Sequence, residues 1–110
     1  MVKLAIPTEK GGMEDNIYPR FGRAPTFTII EIEDKQVKNI RIVENPGYRA
    51  SGGAGVRAVQ LLANEGVEIV LGPTPGPNAY FALKNAGIKH YPVQGLSVKE
   101  AVDAFIREDD

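Results

Sequence analysis

The sequence predicts an α/β domain with a five-stranded mixed sheet, its elements following in the order β-β-β-α-β-α-β-α. Three observations lead there. Residues 26–44 hold two runs rich in β-branched and aromatic residues around a short polar turn. Two later segments, Asn64-Glu65-Gly66-Val67-Glu68-Ile69 and Asn85-Ala86-Gly87-Ile88-Lys89-His90, each read as helix end, glycine and strand. Ser97-Val98-Lys99-Glu100 then opens a final apolar stripe as a capping box, serine and glutamate satisfying each other's free N–H groups.

Val2, Leu4 and Ile6 alternate with Lys3 and Ala5, and Pro7 closes this first strand. Residues 8–25 show no periodicity and contain Gly11, Gly12, Pro19, Gly22 and Pro25. A loop this long in a small domain is more often functional than merely connective. Thr26 to Glu33 is the second strand, Asp34-Lys35-Gln36 a turn, and Val37 to Glu44 the third strand. Asn45 to Gly53 forms a second glycine-bearing loop. From Ala54 to Glu65, Val56, Val59 and Leu62 with Ala58, Leu61 and Ala63 give one apolar helical face, closed by Gly66. Val67 to Leu71 is the apolar run of a central parallel strand. After the Gly/Pro loop 72–77, Pro77 suits a first helical position, and Gly87 ends that helix. Ile88 to Val93 is the fifth strand, placed at an edge because Pro92 cannot donate to a ladder. The last helix buries Val98, Ala101, Val102, Phe105 and Ile106, and Glu108, Asp109 and Asp110 read as a frayed, solvated tail. Right-handed crossovers make the second half parallel while the hairpin turns the second strand antiparallel, an arrangement called ribonuclease H-like.

With 110 residues the chain is expected to form one domain, 1–110. Hydrophobic residues make up 43% and charged residues 25%, an ordinary globular mixture. A net charge of −1 argues against general nucleic-acid binding, which needs a basic surplus. Cysteine is absent and His90 is the one histidine, so cysteine-held clusters and multi-imidazole metal sites are excluded. No stretch approaches the ~20 apolar residues of a membrane span, and the N-terminus lacks a signal-peptide segment. The expected location is cytoplasmic, with no membrane partner.

In the predicted topology the loops 8–25, 45–53, 72–77 and 94–96 lie at the carboxyl edge of the parallel strands, where open α/β sheets bind ligands. Two helix starts, near Ala54 and Asn78, point there with unpaired N–H groups and partial positive charge. Arg20, Arg23 and Arg49 lie in these loops, and Arg57 on the first turn of the first helix. The expectation is a pocket for a small anion, against the alternative that the glycines only make turns and the arginines are solvated.

Gly53-Ala54-Gly55-Val56-Arg57-Ala58 matches G-x-G-x-x-G/A, but a dinucleotide fingerprint should follow the first strand directly, and no acid is placed for a ribose. The Walker sequence is absent. Two-metal nuclease chemistry needs a carboxylate on the first strand, and Val2 to Ile6 offers none. Ser51 and Thr8 have no histidine in their loops. Glu14-Asp15 is a weak candidate for a hard cation. His90 reads as a packed strand residue before it reads as a ligand, and Tyr18 and Phe21 as anchors of the first loop. No catalysis is expected.

Arg20-Phe21-Gly22-Arg23-Ala24-Pro25 before a strand, Gly52-Gly53-Ala54-Gly55 before a helix, and Gly76-Pro77-Asn78-Ala79 opening the next helix resemble the dinitrogenase iron–molybdenum cofactor biosynthesis family. The resemblance spans about residues 2–106 and includes carriers of the NifX and NifB type. It implies a ribonuclease H-like fold and a non-enzymatic carrier of an anionic iron–sulfur or iron–molybdenum cluster, held non-covalently. With the rim of arginines, glycines and helix starts, it makes Arg20, Phe21, Gly22, Arg23, Arg49, Gly52, Gly53, Gly55, Gly76 and Asn78 the expected binding residues, and an ATPase or cofactor-assembly protein the partner to look for if the loops meet another protein. Members often carry histidine where this chain has Arg20, and some offer cysteine, which is missing here. Cluster binding here would therefore be electrostatic and hydrogen-bonded. The other function classes the residues allow are a phosphate- or nucleotide-binding regulatory module and a protein-interaction module.

Overall fold

Leu4 and Ile6 project to one side of their strand and Ala5 to the other, and all three are fully buried. A strand apolar on both faces belongs in the middle of a sheet. In the computed structural model, which describes residues 1–108, β1 (Val2–Thr8) is that central strand. It pairs antiparallel with β2 (Thr26–Glu33) and parallel with β4 (Ile69–Gly72). The edges are β3 (Gln36–Glu44) and β5 (Lys89–Pro92), giving the order β3-β2-β1-β4-β5. The result is an α/β fold with a five-stranded mixed sheet and three helices.

Helices α1 (Ala54–Asn64) and α2 (Pro77–Ala86) cover one face. Ala58, Val59, Leu62, Ala79 and Leu83 meet Ala5, Phe27, Ile29 and Val70 there. Helix α3 (Val98–Glu108) covers the other, where Val98, Ala101 and Val102 meet Leu4, Ile6, Ile30 and Leu71. Each fully buried Leu or Ile contributes about 2 kcal/mol of apolar transfer energy. The capping box is formed: Glu100 N–H donates to Ser97 Oγ at 3.1 Å and Ser97 N–H to Glu100 Oε1 at 2.9 Å. Gly66 and Gly87 both take positive φ at helix ends. Among the described residues no helix is long and apolar enough to cross a membrane.

Several boundaries differ from the sequence reading. Pro7 does not end β1, which runs on to Thr8. The Pro7 ring lies against Gly72 beyond the last β1–β4 register pair, Ala5–Val70, so its missing N–H breaks no rung there. Val67 and Glu68 precede β4 rather than opening it, because the Val67 N–H is still bound to the Leu62 carbonyl of α1. Ile88 and Val93 flank β5 instead of belonging to it, and Pro92 does stand on an edge strand. The hairpin turn is two residues, Asp34 (φ 53) and Lys35 (φ 61), so Gln36 is already in β3. Paired left-handed residues suit the right-handed twist of a hairpin. Glu108 ends α3, and Asp109 and Asp110 of the expected tail lie outside the described residues.

The loop after β1 is tied down. Ile17 N–H donates to the Leu96 carbonyl and Tyr18 N–H to the Pro7 carbonyl. Asp15 Oδ2 accepts from the N–H groups of Glu9, Lys10 and Gly11 at 3.0, 2.9 and 2.8 Å, and Oδ1 from Asn16 N–H at 2.8 Å. Partial burial pushes the Asp15 carboxyl up, but the four backbone donors outweigh it and hold the group below its ordinary value of 3.8. A depressed carboxylate stabilises the fold above its unfolded-state value and loses that contribution as pH falls through the folded one. Asp15→Asn is therefore expected to cost about 1 kcal/mol at pH 7, partial solvent access being allowed for. Urea titrations should show the gap between wild type and variant closing below about pH 4. A gap constant down to pH 2 would contradict the assignment.

Candidate functional site

At the carboxyl edge of the parallel strands three pieces of main chain converge. One is a single 3-10 turn, Phe21–Arg23. The others are the first turns of α1 and α2. A Cβ on Gly22 would stand 2.8 Å from both Cα and N of Gly55, and one on Gly55 would stand 2.7 Å from the Ala79 Cβ. Only hydrogen at both positions lets the turn sit on α1 and α1 on α2. The sequence thus sets the two helix starts side by side.

Between them opens a cavity of about 410 Å³, lined by Pro19–Arg23, Gly53–Val56 and Thr74–Ala79. Neither helix start has a side-chain cap, the cap positions being Gly53 and Gly76. The first-turn N–H groups of Ala54, Gly55 and Val56 in α1 and of Asn78 and Ala79 in α2, Pro77 having none, lack intrahelical acceptors and carry the positive ends of two helix dipoles. Arg20 and Arg23 add two guanidinium groups, and no acidic side chain lines the cavity. Phe21 is 3% exposed and packs edge-on against Phe27 at 5.4 Å between ring centroids, so it anchors the turn in the core.

Arg23 is partly committed. Its Nη1 donates to the Ala50 carbonyl at 2.7 Å and, at 3.5 Å, to that of Gly47. It therefore clasps the segment before α1 as well as lending charge. Sequence reasoning passed over Asn45, which is buried. Its Nδ2 donates to the carbonyls of Gly22 at 3.1 Å and Ala24 at 2.8 Å, and its Oδ1 accepts from Gly47 N–H at 2.9 Å. This amide joins the Phe21–Arg23 turn to the Pro46–Arg49 turn. The available signal was an Asn at the mouth of an Asn-Pro-Gly turn, where its side chain can cap the backbone.

Of the ten residues singled out from sequence, Arg20, Phe21, Gly22, Arg23, Gly53, Gly55, Gly76 and Asn78 line this cavity. Arg49 and Gly52 do not. Arg49 ends its own 3-10 turn, which directs the guanidinium over the Tyr48 ring at 5.9 Å, beside a separate hollow with Glu44 and Thr26. Gly52 is exposed and lines nothing here. Loop 94–96 does not reach the cavity either: Leu96 binds Ile17, and Ser97 bridges to Asn16. Arg57 is exposed and outside the lining.

His90 and Thr8 are occupied with structure. His90 Nε2 lies 3.0 and 3.1 Å from the carbonyls of Gly72 and Pro73, an arrangement that needs the proton on Nε2 and bars that atom from a metal. Thr8 ends β1, fully buried, its hydroxyl bonded to those of Thr26 and Thr28. Among the described residues no three His, Cys, Asp or Glu side chains gather as a metal site.

The family model for dinitrogenase iron–molybdenum cofactor proteins matches residues 2–108. A curated, uncharacterised protein of Methanocaldococcus jannaschii is 33% identical over 106 residues, spanning 96% of this chain and 86% of its own. The apo orange protein of Desulfovibrio gigas superposes with a TM-score of 0.87 at 35% identity, covering 97% of this chain and 88% of that one. A NifB-like protein from Thermotoga does so with a TM-score of 0.82 at 36% identity, covering 98% and 90%.

Proposed function

The chain belongs to the dinitrogenase iron–molybdenum cofactor family, and from that premise we propose that it is a binding and carrier protein for an anionic metal–sulfur cofactor, working without turnover. The observation that carries this reading is the cavity itself: two uncapped helix starts and two arginines face one space with no carboxylate on its walls. Such walls favour negative charge, and their guanidinium and main-chain N–H groups can donate to a cluster's own sulfide or oxo ligands. They contain no cysteine, histidine or carboxylate to replace those ligands. The cargo is therefore an anion whose metal coordination is already complete. Strand order β3-β2-β1-β4-β5, with β2 antiparallel to its neighbours, supports classing the fold as ribonuclease H-like. The absence of cysteine fits work in a reducing cytoplasm.

Anaerobic titration with an iron–sulfur or iron–molybdenum cofactor precursor should give a stoichiometric absorbing complex, weakening as salt screens the arginines. No complex at any ionic strength removes the reading. Tighter binding of inorganic phosphate or ATP in parallel titrations would assign the cavity to phosphate esters instead.

A further inference from the structure

All 14 acidic residues lie outside residues 69–99, a stretch of 31 positions. Within it Lys84 lies on α2 and Lys89 and His90 on β5, while Lys99, on α3, is paired with Asp103. Helix α2 buries little beyond Ala79 and Leu83, yet its outer side presents two rings. Tyr80 is 41% exposed and Phe81 63%, packed edge to face with centroids 5.9 Å apart. Tyr91 on β5 is also exposed. Between Tyr80 and Tyr91 lies a recess of about 420 Å³, with Leu83 and Ile88 among its walls and Lys84 and Lys89 alongside. No acidic residue lines it; Glu108 belongs to the next hollow, beyond Tyr91. Lys84 Nζ sits 5.4 Å from the Tyr80 ring centre. Phe81 is one helical turn from Asn78, which lines the anion cavity.

Exposed aromatic residues around a recess are the composition of interface anchors. The recess itself is lined by Lys84 and Lys89 and by no carboxylate, with Glu68 and Glu108 standing outside its walls, and this selects an acidic counterpart. We propose that α2 and β5 dock a protein partner with an acidic surface, which seats an apolar side chain between Tyr80 and Tyr91 and sets carboxylates against Lys84 and Lys89. The partner then lies beside the cavity mouth, where cargo passes between the two proteins. That last step rests on the carrier reading; the docking does not.

The test places a photo-cross-linking phenylalanine analogue at position 81 in the organism that encodes the chain, and identifies what is captured. The captured protein, purified, is then titrated with wild type and with the exposed double variant Lys84→Glu/Lys89→Glu. Support requires an acidic protein whose affinity falls about tenfold or more in the double variant and falls with salt, and is restored by reversing charges on the partner. Tyr80→Ala, which leaves the charges in place, should also weaken docking. Capture of RNA, of nothing, or of a protein indifferent to the lysine reversals overturns the proposal. Cofactor titration of the double variant should match wild type. If wild type takes up no cofactor while the docking survives, the carrier reading fails alone.

Discussion

Gly22→Ala is expected to lower stability by about 3 kcal/mol and to abolish cofactor uptake. The added methyl would stand 2.8 Å from Gly55 Cα and N, which are backbone atoms of a helix and cannot rotate aside. Relief requires moving the Phe21–Arg23 turn off α1. That turn is bound on its other side by the buried Asn45 amide and by Phe21 in the core. The strain therefore spreads to both tethers, and the cavity loses the alignment of its walls. Chemical denaturation reports the first effect and anaerobic titration the second. Gly53→Ala is the control for size, because no atom lies within 4 Å of its added methyl, although its φ of 67 still carries a cost. Equal behaviour of the two variants would mean that close packing of the turn on α1 is not what shapes the site.

Arg23→Ala and Arg20→Ala should separate charge from architecture. Arg20 is exposed, so its loss should weaken cofactor binding through charge alone and leave the unfolding midpoint in place. Arg23 also holds the carbonyls of Ala50 and Gly47, so its removal should cost about 1–2 kcal/mol of stability and raise the dissociation constant by about 10- to 100-fold. Arg23→Lys should recover the charge without the clasp, because an ammonium on a flexible stem does not reproduce the planar guanidinium fork. Raised salt should reduce the Arg20 effect more than the structural part of the Arg23 effect. If both arginines affect binding equally and neither affects stability, Arg23 is no clasp.

Much of the fold was legible because its signals are local. Ser97 and Glu100 sit three apart, Gly66 and Gly87 close helices, Pro77 opens one, and each acts within a single turn of chain. The misplaced boundaries were set by partners far along the sequence. Pro7 stays in β1 because β4 has no rung for it to break, and Val67 is held back by α1. The cavity was legible through its glycines and helix starts, which the topology alone brings to one edge. Arg49 was not, since its direction depends on the 3-10 turn beneath it and on the Tyr48 ring. Asn45 escaped notice because, beyond its local bond to Gly47 N–H, its two bonds to the Gly22 and Ala24 carbonyls exist only once two loops have met. The basic surface of α2 and β5 is visible as a gap in acidic residues, but its aromatic recess needs the strand beside the helix.

A receptor wall made of peptide groups has no rotamers to freeze when its guest arrives. Since the main-chain donors at the starts of α1 and α2 are fixed by their helices and Arg23 is already held by the Ala50 and Gly47 carbonyls, the ordering cost of capture should fall mainly on Arg20, and the rate be set by diffusion and long-range attraction. On the carrier reading, such a fixed wall predicts that discharge is driven at the open mouth, by whatever competes there for the guest.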